Sequence, residues 1–256
     1  MTNLSELATQ LDEAARTATA VPQLTDTYPK LSVADAYAIQ TMSVARRWAR
    51  GERRVGYKMG LTSRAKMQQM GVSEVIWGRL TDAMRLEEGG ELHHARYTHP
   101  RVEPEIAYII GKKLAGNVSL AEALGAVEAV APAMEIIDSR YKNFKFALAD
   151  VIADNSSSSG FYLGQWAKPS TDVSNLGIIM ELNGRPVQIG SSAAILGNPI
   201  RSLVSAARLV ASVGESLEPG DIVLAGGATA AHALTPGDFV RTTFQTLGAV
   251  SFNVVA

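Results

Sequence analysis

The segment His99-Pro100-Arg101-Val102-Glu103-Pro104-Glu105-Ile106 carries two carboxylates two residues apart, leading into an apolar run that reads as a buried strand. On a strand, residues i and i+2 share a face, so Glu103 and Glu105 point the same way. Like charges on one face repel, and a cation, a shared proton or solvent must compensate. A third carboxylate, Glu135, sits in the almost wholly apolar run Val130 to Ile137. A lone buried glutamate is costly unless it is ion-paired or binds a metal. The residues leave two readings open. In one, Glu103 and Glu105 are solvated and Glu135 pairs with an arginine such as Arg140. In the other, the three carboxylates gather around a hard, oxygen-preferring dication, Mg²⁺ or Mn²⁺.

Lys58 lies in Gly56-Tyr57-Lys58-Met59-Gly60-Leu61, a short apolar run flanked by glycines that let backbone approach a ligand closely. A partly buried lysine there can bind a carboxylate or move a proton, whereas a snorkelling surface lysine does neither. The serine run within Asp154 to Gly160 offers hydroxyls and amides to a polar substrate, although such a string also suits an ordinary loop. Leu224 to Ala231, poor in side chains and following a strand, can present backbone N–H groups to an anion. It has neither the ending of a P-loop nor the spacing of a dinucleotide fingerprint. His93, His94, His99 and His232 show no zincin spacing, and no Gly-x-Ser-x-Gly elbow is present.

The elements that must position these groups fall into two textures. Leu4, Leu7, Leu11, Ala14 and Ala18 recur at helical steps. Ser32 and Asp35 form a capping-box pattern ahead of a second helix that ends near Gly51. From residue 54, short strands alternate with turns: 55–59, 102–110, 127–138, 161–163, 177–182, 186–189, 221–224, 239–244 and 249–255. Asn183-Gly184 signals a hairpin. Two helices interrupt the series, one starting at Ser119 and one over 199–213 before Gly214. The pattern predicts an α+β protein, with a helical N-terminal cap over 1–53 and a mixed β-sandwich or barrel over 54–256.

The chain has 256 residues, a formal net charge of -1 and no cysteine. That excludes a disulfide scaffold, a thiolate zinc or iron–sulfur site and a thiol nucleophile. It leaves no basic footprint for nucleic acid and no polybasic membrane patch. No apolar run spans a bilayer, and the opening residues do not read as a secretory signal. The expectation is a cytoplasmic enzyme.

Four ordered segments together resemble the 2-hydroxypentadienoate hydratase/decarboxylase family of the fumarylacetoacetate hydrolase superfamily. They are Val55 to Ser63, Pro100 to Ile106, Pro132 to Arg140 and Ala153 to Ser157. The resemblance covers nearly the whole chain. It implies the superfamily's mixed β fold with a helical N-terminal portion. It also implies Mg²⁺, with Mn²⁺ as a substitute, held by Glu103, Glu105 and Glu135, and Lys58 as the active-site lysine. Leu61, Ser157, Ser158, Gly226 and Gly227 become candidates for substrate contact. It further implies a homo-oligomer and, for the decarboxylase branch, a complex with the partner hydratase.

Lys66 to Val72 and Ile137 to Phe146 resemble the decarboxylase branch more than the hydratases. So does Ile76 in Val75-Ile76-Trp77-Gly78, where an acidic residue is expected in hydratases. The implied reaction is loss of CO₂ from 2-oxo-3-hexenedioate to give 2-hydroxypenta-2,4-dienoate, in the meta-cleavage catabolism of aromatic compounds. The rival within the family is hydration of 2-hydroxypentadienoate to 4-hydroxy-2-oxopentanoate. The rival of another class is a non-catalytic partner subunit. Three positions depart from the family pattern: Asn198 replaces a usual His, Ala225 a Thr, and Trp77 a Tyr or Phe.

Overall fold

The structure, a computed structural model, describes residues 3–63, 67–68 and 71–256. Met1, Thr2 and, within the branch-indicating stretch, Lys66, Gln69 and Met70 lie outside the described residues. The chain opens with helix α1 (Leu4–Arg16), where Asn3 accepts the Glu6 N–H as an N-cap. Leu7, Ala8, Leu11 and Ala14 form its buried stripe. A short helix α2 (Leu24–Thr27) leads to α3 (Val33–Ala49), which starts on the expected Ser32–Asp35 capping box. Gln40 of α3, fully buried, donates to the carbonyls of Trp77 and Ile152 at 3.1 and 2.9 Å and ties the helices to the elements beneath.

Asp12 on α1 is buried between two arginines of α3, with Arg46 at 2.8 Å and Arg50 at 2.6 Å. Burial works to raise its pKa, but the hydrogen bonds and charges of Arg50 and Arg46 outweigh it and hold the carboxyl below its ordinary 3.8. The pairing therefore contributes fully above that value and is lost as pH falls through the depressed one. Asp12→Asn should cost about 1–2 kcal/mol at pH 7, a modest figure because both arginines are more than a third in water. Its penalty should shrink progressively below pH 4, measurable by urea unfolding across an acid pH series.

The strands form two sheets. The larger one runs in the order β2 (Ile76–Thr81), β1 (Arg54–Gly60), β10 (Ile222–Leu224), β5 (Arg101–Ile110), β6 (Val127–Ile137), β7 (Ser158–Leu163) and β3 (Arg85–Leu86). A two-residue strand, β11 (His232–Ala233), pairs with the start of β5. The second sheet is ordered β4 (Glu91–His93), β13 (Gly248–Val255), β12 (Phe239–Phe244), β8 (Gly177–Leu182) and β9 (Arg185–Ser191). One buried cluster joins both, bringing Ile106, Met134 and Tyr162 against Met180, Val240 and Phe252. The Tyr162 and Phe252 rings stack at 4.4 Å. Helices α4 (Leu120–Ala126) and α6 (Ile200–Ala211) cover this cluster, and α5 (Leu148–Ala153) belongs to a second one beneath α1 and α3. At Gly56, φ is +152° and a Cβ would lie 1.9 Å from the Ile222 carbonyl, so only glycine lets β1 pair in parallel with β10.

The α+β class is as expected, and the strands from β5 through β13 fall close to their anticipated places. Three differences matter for the site. Ile76–Thr81 is a fully buried edge strand outside the strands expected from the sequence. Leu148–Ala153 is a helix, which sets the following turn. The serine run is not a solvated loop: Asn155, Ser156, Ser157 and Ser158 are all buried, and Ser158 begins β7.

Candidate active site

The antiparallel register of β5 and β6 sets Glu103 directly opposite Glu135, and Glu105 opposite Ala133. Alternation keeps Glu103 and Glu105 on one face. All three carboxylates are buried, Glu105 and Glu135 completely, which removes the solvated reading of the pair. The Arg140 reading of Glu135 also falls away. Arg140 is engaged with Asp154 and donates to Ser159 Oγ at 2.6 Å. The partner of Glu135 is Lys58, which reaches across from β1, with Nζ 3.0 Å from Glu135 Oε2. Lys58 is itself buried and donates to the Ser156 carbonyl at 3.0 Å.

That carbonyl is placed by a strained turn. Asn155, Ser156 and Ser157 have φ of +47°, +52° and +60°, three consecutive left-handed residues without a glycine. The turn holds because Asn155 exchanges hydrogen bonds with the Arg79 backbone at 2.8 and 2.9 Å, while Ser156 Oγ donates to the Trp77 carbonyl at 2.8 Å. Strand β2 thus clamps the turn that positions the lysine. The unusual run of Asn and Ser after an aspartate was the only signal of it in the sequence.

Burial, then the charge of Glu135, pushes the Glu105 carboxyl well above the usual range. Burial also lifts Glu135, against the pull of the Lys58 ammonium. The Lys58 ammonium offsets the charge of Glu135, and it lies beside a second wholly buried carboxylate, Glu105. Only one donor is supplied by the glycine loop: the Gly226 N–H binds Glu105 Oε2 at 2.6 Å. So the anion held by that loop is the chain's own carboxylate. Gly226 has φ +110°, and a Cβ there would lie 2.0 Å from Thr62 Oγ1.

Beside these groups lies a cavity of about 550 Å³. Lys58, Leu61, Glu103 and Ser157 line it, as does Ile76, the residue singled out for its apolar character. The Ser157 hydroxyl is buried without a partner. Ser158 lies elsewhere, its hydroxyl 3.9 Å from Met84 Sδ, and neither Gly226 nor Gly227 is among the lining residues. Arg101, Phe144, Lys145 and Phe146 also face the cavity; they lie in the segments that carry the family and branch resemblance, but none of them is among the sequence-derived site residues. His99 sits against Phe144, with ring centroids 5.4 Å apart, rather than at the surface. The three departures lie off the cavity. Asn198 accepts the Ile200 N–H at 3.2 Å, Ala225 is buried, and Trp77 stacks on Tyr37 at 5.3 Å.

The donor set suits a hard dication. Glu105 Oε1 and Glu135 Oε1 are buried without a hydrogen-bond donor, Glu135 Oε2 meets the Lys58 ammonium, and every group offered is a carboxylate oxygen. Among the described residues the side chains do not close into a three-ligand cage on their own. The backbone register brings them to one place, and Lys58 lies against Glu135 there.

The family model for the fumarylacetoacetate (FAA) hydrolase C-terminal region matches residues 56–255. The chain belongs to the fumarylacetoacetate hydrolase family. Within that family it is 62% identical over 250 residues to a 4-oxalocrotonate decarboxylase of Pseudomonas sp, covering 98% of this chain and 97% of that one. It is 35% identical over 248 residues to a 2-keto-4-pentenoate hydratase of Paraburkholderia xenovorans (strain LB400), covering 96% and 92%. Among solved structures it matches the 4-oxalocrotonate decarboxylase from Pseudomonas putida G7, complexed with magnesium and adipate. That match has a TM-score of 0.96 and 39% identity, with 98% of this chain and 97% of that one covered. The likeness to that decarboxylase structure therefore takes in the helical N-terminal portion as well as the region matched by the family model.

Proposed function

We propose that this chain is a Mg²⁺-dependent carboxy-lyase that converts 2-oxo-3-hexenedioate (4-oxalocrotonate) to 2-hydroxypenta-2,4-dienoate and CO₂. The observation that carries this is the set of unpartnered buried oxygens of Glu105 and Glu135 beside Lys58. It is supported by the 62% identity to a decarboxylase of that name, and by the similar structure that holds magnesium and a six-carbon diacid. Glu103, Glu105 and Glu135 are assigned as the residues that hold Mg²⁺. When bound, the ion supplies a Lewis acid for the 2-oxo group and a counter-charge where negative charge develops.

The chain's own residues do the rest. The C5–C6 bond breaks as CO₂ leaves. Its electron pair becomes C4=C5, the C3=C4 pair moves to C2=C3, and the carbonyl pair ends on the C2 oxygen, which takes a proton. Lys58 is the donor placed for that proton, because its ammonium sits at the carboxylate cluster. Leu61 and Ile76 keep the cavity dry over the carbon chain, and the free Ser157 hydroxyl is a contact for a substrate oxygen. Ser158 and Gly226 act indirectly, by building β7 and by fixing Glu105.

The test is to mix purified protein with Mg²⁺ and 2-oxo-3-hexenedioate and to follow CO₂, with 2-hydroxypentadienoate tested in parallel for hydration. CO₂ release that EDTA stops is expected; full turnover in EDTA overturns the metal assignment. The hydratase reading would need a group that manages the proton of water, and Ile76 offers none. Ile76→Asp should lower decarboxylation about tenfold by admitting water and a charge, without raising hydration to a comparable rate.

The assembly is proposed to be a homo-oligomer, in complex with the hydratase that consumes its product, within the cytoplasm. Ile179 and Ile189, paired across β8 and β9 and both exposed, give the second sheet an apolar outer face suited to such contact. Sedimentation of the pure chain tests the oligomer. Among the described residues no helix is long and apolar enough to cross a membrane.

A further inference from the structure

We propose that Arg101 reads the distal carboxylate of the substrate, and so makes the cavity selective for 2-oxo diacids over 2-oxo monoacids of similar length. The inference rests on the decarboxylase reading above and names the residue that would set its substrate class.

Arg101, Glu103 and Glu105 alternate along β5 and therefore share one face. The cavity thus has a carboxylate end, where Lys58 and the acidic cluster lie, and a cationic end formed by Arg101 and Lys145. Lys58 is committed to Glu135 and to the Ser156 carbonyl, so it does not serve both ends. Two residues of strand separate Arg101 from Glu103 by about 7 Å. The five bonds between the terminal carbons of a six-carbon diacid span ~6 Å.

The guanidinium is held but not used. Its Cζ lies 4.2 Å from the Phe144 ring centroid, and Phe144 packs in turn on Phe146 at 5.6 Å. Stacking on a ring face fixes the plane of an arginine and leaves its N–H edge free for a carboxylate. Among the described residues Arg101 has no ion pair, and its Nε is buried with no hydrogen-bond partner. The buried arginines Arg79 and Arg140 are, by contrast, both paired, with Glu215 and Asp154. Arg101 thus lines the cavity with a guanidinium that is stacked but not ion-paired among the described residues, and a ligand carboxylate would satisfy it.

The chemistry also decides where the effect must appear. The distal carboxylate is charged in the reactant and leaves as neutral CO₂. An ion pair with it stabilises the bound reactant and gives nothing to the transition state. Arg101 is therefore a binding and specificity residue whose loss raises KM and kcat together and leaves kcat/KM nearly unchanged. The product has no distal carboxylate and makes no such contact, which favours its release.

The experiment uses the full chain loaded with Mg²⁺. Affinities for 2-oxoadipate, which lacks the C3=C4 bond needed for this decarboxylation, and for 2-oxopentanoate are measured by calorimetry for the wild type and Arg101→Met. The wild type is expected to prefer the diacid by about 10- to 100-fold. In Arg101→Met that preference should fall below about threefold with the monoacid affinity unchanged, and in Arg101→Lys part of it should return. With 2-oxo-3-hexenedioate, KM should rise about 10- to 100-fold and kcat should rise with it, so that kcat/KM stays within about threefold. A diacid preference retained in Arg101→Met, or an equal loss of both ligands, overturns the proposal. Arg101→Gln provides the same comparison if the methionine variant is poorly folded. Absence of turnover in the wild type would count against the decarboxylase reading alone, because the diacid preference is read from binding.

Discussion

Glu105→Gln is expected to yield a folded protein whose Mg²⁺-dependent release of CO₂ is lower by about a thousandfold or more, roughly 4 kcal/mol of transition-state stabilisation. The substitution is nearly isosteric. Glu105 is wholly buried, and burial together with the charge of Glu135 already holds its carboxyl well above the usual range, so the metal-free fold favours a neutral group there. A glutamine carbonyl can still accept the Gly226 N–H that Glu105 Oε2 accepts at 2.6 Å. Stability without metal should therefore hold or rise slightly, and the increase in melting temperature that Mg²⁺ gives the wild type should disappear. Calorimetric scans with and without Mg²⁺, beside a CO₂ assay, separate loss of metal from loss of fold. Wild-type turnover in Glu105→Gln would remove the carboxylate cluster from the reaction.

The second large effect belongs to Lys58. Lys58→Met should lower kcat by about 10²–10⁴-fold through loss of the proton donor at the C2 oxygen. It should also weaken the metal-free fold, because Glu135, fully buried and 3.0 Å from Nζ, loses its countercharge. Breaking a buried pair costs about 3–5 kcal/mol, less whatever is recovered when Glu135 takes a proton. Mg²⁺ supplies an alternative countercharge, so its stabilisation of Lys58→Met should exceed that of the wild type. Thermal unfolding over a Mg²⁺ titration, compared with single-turnover rates at saturating Mg²⁺, tests both parts. A variant that unfolds like the wild type without metal would show that Lys58 is not the balancing charge. One that reacts at the wild-type rate would show that it is not the donor.

These two expectations draw on different kinds of information. The spacing of Glu103 and Glu105 and the apolar setting of Glu135 were legible in the chain, because strand alternation and the cost of a buried charge are local rules. They required compensation by a cation, a shared proton or solvent, but did not say which. Lys58 against Glu135, rather than Arg140, is a matter of strand order: β1 reaches the β5–β6 pair only because β10 inserts between them in parallel. Residue types alone leave the turn at Asn155–Ser157 open between a substrate contact and an ordinary loop, for a related reason. Its polar residues look solvated until β2, itself unrecognised, covers them and takes their hydrogen bonds. Ser158 and the Gly226–Gly227 pair were chosen from a run of small residues. Which members of such a run face a cavity depends on alternation along β7 and on where Glu105 lies.

By itself the sequence determined the α+β class, the helical start, most strands of both sheets and the acidic residues that demand compensation. Each of these follows from periodicity, capping or the solvation cost of a residue in its immediate surroundings. The tertiary structure alone decided the countercharge of Glu135, the strained turn that holds it, and the placing of Arg101 and the Phe144–Phe146 shelf at the far end of the cavity. Those depend on groups up to about a hundred residues apart along the chain, such as Lys58 and Ser156. No local rule orders strands across a sheet, and it is that order which settles which charges meet.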